Sequence, residues 1–167
     1  MDNTKNFLSP LNFKFKLKRA PNLNFFIQKI DVPGLALPNV DSPNPFLTYP
    51  VPGDHLSYDD LIITFKVDEN LENYMEIQNW IRGLGRPFPD QYKILESNPV
   101  TTGESLRSDI SVTILTSSKQ PNYELVFIDA YPVRLSGFEF DTTADDVNYI
   151  QASVTFKYQI YDINKIF

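Results

Sequence analysis

Six of the chain's thirteen prolines, Pro33, Pro38, Pro43, Pro45, Pro50 and Pro52, fall within one twenty-residue stretch. A proline has no N–H to give to a β ladder, so this stretch cannot be a central strand. It also carries Leu35, Leu37, Val40, Phe46, Leu47, Tyr49 and Val51, which is too apolar for an ordinary solvated loop. An extended arm laid against another surface fits both facts. That surface is either the rest of this chain or a neighbouring subunit. Prolines stiffen such an arm and lower the entropy lost when it docks.

The remaining pattern is mostly period two. Phe13, Phe15 and Leu17 alternate with Lys14, Lys16 and Lys18, the mark of a half-buried strand. The lysines read either as a basic stripe for an anion or, more simply, as a solvated face that discourages edge pairing. Residues 24–30 predict a second strand, joined to the first by a hairpin at Ala20-Pro21-Asn22. Pro52-Gly53-Asp54 predicts a turn. Leu61, Ile63, Phe65 and Val67 then share one face of a strong strand. Further strands are expected over 108–117, 123–128, 131–140 and 154–160, with turns at 119–122 and at Asp129-Ala130.

Only residues 70–83 change to a helical period. Leu71, Tyr74, Met75, Gln78, Trp80, Ile81 and Leu84 approximate one stripe, and Asp68 or Asn70 can cap it. Gly83 and Gly85 end it, and Pro87 and Pro89 oppose its resumption. Trp80 reads as a core anchor. Residues 90–109 read as a polar loop. Seven or eight strands, one helix and no βαβ alternation predict a mainly β fold: an antiparallel β-sandwich or barrel with one packed helix. At 167 residues the chain fits one such domain, 1–167.

Composition excludes much chemistry. There is no cysteine and one histidine, His55, so disulfides, Cys-built zinc sites and His-rich centres are ruled out. Lys+Arg is 15 and Asp+Glu is 21, a net charge of −6, which opposes binding to nucleic acid by phosphate neutralisation. No run reaches the roughly 18–20 apolar residues of a membrane span, and no secretory h-region opens the chain. Asp54, His55, Asp59 and Asp60 form the densest polar cluster, but their spacing matches no calcium loop, and a turn would carry them anyway. No nucleophile elbow or phosphate-cradling glycine loop is present, and Asp145 and Asp146 read as solvation. No catalytic, metal or cofactor site is expected. A monomeric binding module, gripping a partner through the arm, loop 86–108 or Tyr49, Tyr58 and Tyr92, is the alternative of a different class. A hydrolase or metal-dependent enzyme centred on His55 is the remotest.

The order of elements is informative. Val32-Pro33-Gly34 opens the arm and Val51-Pro52-Gly53-Asp54 closes it. Tyr58-Asp59-Asp60-Leu61, Thr64-Phe65-Lys66-Val67-Asp68-Glu69 and then Trp80 follow. This set resembles the tail-tube protein family of contractile-tailed bacteriophages. The segments Tyr123–Phe127, Ala130–Val133 and Val154–Tyr158 look like the same family's closing strands. The resemblance implies a structural virion protein and not an enzyme. Its copies would form hexameric rings, stacked into a hollow tube whose inner wall is a continuous β-barrel through which DNA passes without specific binding. Main tube subunits and relatives at the baseplate or neck, which initiate or terminate the tube, share this pattern. Sheath and baseplate or neck proteins are the implied partners, with no membrane and no cofactor. The arm, about 31–60, would bridge to neighbours through Leu35, Leu37, Phe46, Leu47 and Tyr49. The helix, about 70–83, would pack outside the barrel sheet. The stripe at 14–18 would face away from the bore or into a contact between rings.

Overall fold

The computed structural model describes residues 7–85, 89–90, 93, 106–143 and 148–166. Most of loop 86–108, with Tyr92, and Asp145 and Asp146 lie outside the described residues. Of the loop expected over 90–109, residues 90 and 93 are helical, as is Pro89, so the prolines after the helix do not forbid a further helical stretch.

Seven strands form one antiparallel sheet folded into two layers. The first layer holds β1 (Phe13–Leu17), β8 (Ser108–Leu115), the first half of β9 (Pro121–Leu135) and β11 (Ile160–Lys165). The second holds β2 (Ile27–Asp31), β7 (Leu61–Lys66), β10 (Gln151–Lys157) and the second half of β9. Period-two alternation puts Leu17, Ile110, Val112, Leu125 and Phe127 of the first layer against Leu61, Ile63, Phe65, Val154 and Phe156 of the second. The expected class, a mainly β sandwich with one packed helix, is what the chain adopts.

One strand serves both layers because of Asp129. A turn was expected at Asp129-Ala130, but β9 runs straight through it. Asp129 sits at φ 56°, its N–H donates to Asp109 Oδ1 at 3.1 Å, and the register against β8 shifts there. A single left-handed residue makes a bulge, which bends the strand instead of reversing it. Residues before the bend pair with β8 and β11, Ala130 just after it still meets Ser108 of β8, and Tyr131–Leu135 pair with β10. The strand stops at Leu135, short of the expected Phe140, and β8 ends at Leu115.

The expected hairpin between the first two strands is absent. β1 pairs with β8 and β2 pairs with β7. Between them Pro21–Phe25 forms a 3-10 turn that buries Leu23, so the connection crosses from one layer to the other. Asn24 secures it, its side-chain oxygen accepting from Leu17 N at 3.0 Å and its amide donating back to Leu17 O. The second strand is thereby shortened to 27–31. The expected single closing strand is two, β10 and β11, separated at Tyr158-Gln159.

Helix α1 spans Glu72–Gly85, two residues later than expected, because Leu71 lies at φ 59° and does not join it. Its buried side is Asn73, Ile77, Trp80 and Gly83; Met75 is half exposed and Gln78 is exposed. The expected stripe is therefore partly rotated: Tyr74, Trp80, Ile81 and Leu84 do pack on the core, but the stripe missed buried Ile77. The signal obscured was Asn73, a polar residue in an apolar position. Its amide donates to Lys66 O at 2.8 Å and its oxygen accepts from Asp68 N at 3.1 Å, welding the end of β7 to the first turn of α1. Asn73→Leu strands both backbone groups, and urea denaturation should show a loss of about 2–3 kcal/mol. The same side of the helix is tied to the 3-10 turn by Glu76, which flanks Asn73 and Trp80 and accepts from Asn22 N and Nδ2. Burial raises the Glu76 carboxyl above its ordinary range, against the pull of those two bonds.

Candidate subunit-assembly surface

The proline-rich stretch is not one extended strand but a two-tiered hairpin. Nearest the sheets, β3 (Leu35–Ala36) pairs with β6 (Ser57–Tyr58). Beyond them β4 (Asn39–Ser42) pairs with β5 (Tyr49–Pro52). Prolines at 50 and 52 fit because a two-stranded ribbon asks each strand for hydrogen bonds on one side only. Gly53 makes the step between tiers: its N–H donates to Pro38 O at 2.8 Å, and a Cβ there would lie 2.6 Å from that oxygen. At the tip, Phe46 N donates to Asn44 Oδ1, an Asx turn that presents Phe46 outward.

The arm's apolar residues are not folded onto the rest of the chain. Phe46 is 96% exposed and Leu47 67%. Leu35, Leu37, Val40, Tyr49, Val51 and Leu56 are exposed as well. All five anchor residues singled out in the sequence, Leu35, Leu37, Phe46, Leu47 and Tyr49, thus lie on this ribbon and face solvent in the single chain. So many exposed large apolar side chains on one ribbon are unusual for a surface that meets only water.

What the sequence did not reveal is how the arm is rooted. Tyr158 donates to Asp59 O at 2.8 Å and Tyr161 donates to Pro33 O at 3.3 Å, one on each side of the arm's base. Tyr58 packs edge-on against both rings, and Phe127 supports them from the core. Asp60 adds an ion pair with Lys157. Alternation puts Tyr158 within the closing strand expected over 154–160, on the face of Val154 and Phe156, but says nothing of what its hydroxyl or that of Tyr161 meets.

Burial pushes the Tyr158 hydroxyl well above the usual tyrosine range, reinforced by Tyr161, Asp59, Tyr58 and Asp60. A folded pKa above the unfolded one means that this group's contribution is complete below about pH 10 and fades as pH rises through the folded value. Spectrophotometric titration should therefore show one late-ionising tyrosine that Tyr158→Phe removes.

The sheet leaves open edges too. β1 and β2 end the hydrogen-bonded path, and β11 has a partner on one side only, among the described residues. Lys14 and Lys16 project from β1 and are exposed. Asp54 and His55 sit exposed beside the step between the tiers, and Asp59 is exposed at the arm's base; among the described residues no group of three or more His, Asp or Glu gathers to hold a metal ion. No helix among the described residues is long and apolar enough to cross a membrane.

The family model for phage tail tube proteins matches residues 4–164. The chain belongs to that family. It is a component of the tail. One relative is the tail tube terminator protein of Enterobacteria phage T4, 28% identical over 146 residues that cover 83% of this chain and 76% of the relative. Among solved structures, the tube-terminating cap of the anti-feeding prophage superposes with a TM-score of 0.63 at 10% identity, covering 99% of each chain. A protein of the sheath–tube complex of an extracellular contractile injection system gives 0.63 at 9% identity, covering 98% of this chain and 95% of that one. At such identities the two structures share the fold, antiparallel sheets with a helix.

Proposed function

We propose that this chain is a ring-forming subunit of a contractile tail tube, six copies closing into a hexamer around a channel that passes the genome. The exposed apolar arm carries this reading, joined to strand edges that have one neighbour each among the described residues. Pairing of edges between copies satisfies those edges, and closure into a circle leaves none over. Leu35, Leu37, Phe46, Leu47 and Tyr49 are the contacts the arm offers to a neighbour. A net charge of −6 suits a bore that repels phosphates and leaves DNA free to slide. Sheath and baseplate or neck proteins are the expected partners.

The relative in phage T4 favours a specific position, a terminating ring at the end of the tube. A terminator and a repeating subunit differ in what they do alone. Purified and concentrated, a terminator forms single six-copy rings that do not stack, whereas a repeating subunit grows into tubes. Sedimentation velocity across a concentration series distinguishes them. A species that stays monomeric throughout would favour a binding module and contradict both.

A further inference from the structure

Charge is segregated along this chain. Residues 1–30 hold six lysines and arginines against one acid, whereas residues 31–65 hold five aspartates and no lysine or arginine. The first set supplies β1 and β2, the second the arm. Two of the arm's acids are neutralised near its base, Asp31 by Lys29 at 2.9 Å and Asp60 by Lys157. Asp41 and Asp54 remain exposed further out; Asp41 accepts a bond from Asn39 Nδ2. On β1, Lys14 and Lys16 are exposed, and neither forms an ion pair among the described residues.

Between the open edges of β1 and β2 lies a cleft of about 510 Å³. Leu11, Phe13, Phe15 and Ile27 line it, with Lys14 and Gln28 at its rim. The apolar residues are incompletely covered, Leu11 being 85% exposed. Here the two layers part, and among the described residues no strand seals the gap. The arm has the complementary make-up: an uncharged tip, Pro43–Thr48, that ends in Phe46 and Leu47, with aspartates behind it.

We propose that the arm of one copy docks in the β1–β2 cleft of the next, Phe46 and Leu47 entering between Phe13, Phe15 and Ile27, and Asp41 and Asp54 meeting Lys14 and Lys16. The proposal rests on the ring reading and names the surface that receives the arm. Arm and cleft are different surfaces, so the contact is head-to-tail. Such a contact closes into a ring or propagates; it does not stop at a two-fold dimer. It also assigns the lysine stripe a role in assembly in place of mere solvation.

Two complementary charge-reversed proteins test it. One carries Lys14→Glu and Lys16→Glu, the other Asp41→Lys and Asp54→Lys. All four side chains are exposed, and thermal melts check that both proteins fold. Each protein alone sets like charges against each other at every contact, and each should need at least about tenfold more protein to assemble in low salt. Mixed one to one, they should alternate around an even-numbered ring and assemble as the unaltered chain does. Assembly of either protein alone at the unaltered concentration would overturn the docking while leaving the ring reading intact. So would failure of the mixture. If the unaltered chain never assembles, the ring reading itself fails. A benzophenone side chain at position 46 supplies a second readout: a cross-link to residues 10–28 of another copy supports the docking, and a cross-link elsewhere overturns it.

Discussion

Phe46→Asp combined with Leu47→Asp is expected to abolish assembly while leaving the folded chain as stable as before. Both side chains are among the most exposed apolar groups of the arm and neither belongs to the core. Surface substitutions of this kind usually change stability by no more than about 0.5 kcal/mol. In an assembled ring the same positions would be buried. Each large apolar anchor is then worth about 1.5–3 kcal/mol, and a carboxylate in its place adds the cost of burying a charge. The effect recurs at every contact around the ring, so a modest loss per contact becomes a complete loss of the closed form. A thermal melt and a sedimentation run on the same sample separate the two effects. An unchanged melt with a single monomeric species is the expected pair of results. Assembly at the unaltered concentration would mean that the arm's tip is not a contact.

The largest effect on the fold itself should come from Trp80→Ala. Trp80 is 2% exposed at the point where α1 meets the second layer. Its ring lies 6.0 Å from that of Phe156, the Arg19 guanidinium stacks 5.1 Å from its centre, and its Nε1 donates to Leu106 O at 3.0 Å. Truncation opens a cavity between helix and sheet, releases the guanidinium and leaves the carbonyl without its donor. A loss of about 3–5 kcal/mol is expected in urea denaturation. Trp80→Phe keeps most of the volume and loses the N–H with only part of the bicyclic ring, so its cost should be clearly smaller. Equal costs for the two would show that the hydrogen bond, not the packing, holds the helix in place.

The strands were legible because one face of each is buried and alternation records that directly. Phe13-Lys14-Phe15-Lys16-Leu17 and the run Leu61–Phe65 alternate as their exposure does. Connectivity was not legible in the same way. Ala20-Pro21-Asn22 suits a hairpin as well as a 3-10 turn, and burial of Leu23 among distant residues decides between them. Asp129 looked like a turn because a polar residue interrupts an apolar run. A left-handed aspartate satisfies that interruption equally well as a bulge, and only the partner Asp109 reveals which. The helix face was misread for a related reason. Asn73 is buried for its hydrogen bonds, and hydropathy cannot score a residue that is inside for polar reasons.

The candidate surface divides in the same manner. Proline density announced an arm, and its apolar residues announced that something must cover them. Its pairing with itself went unread, because Asn39–Ser42 and Tyr49–Pro52 are exposed almost throughout and bury no face for alternation to record. The tyrosine root was invisible for want of distance information: Tyr158 reaches Asp59 across 99 positions and Tyr161 reaches Pro33 across 128.

Hydrogen exchange on assembled and dissociated protein tests the central claim most directly. If like copies cover the arm and the open edges, exchange should slow on assembly in peptides spanning 13–17, 27–31 and 39–52 and stay unchanged in α1 around Trp80. Identical exchange in the two samples, or protection confined to the helix, would contradict it.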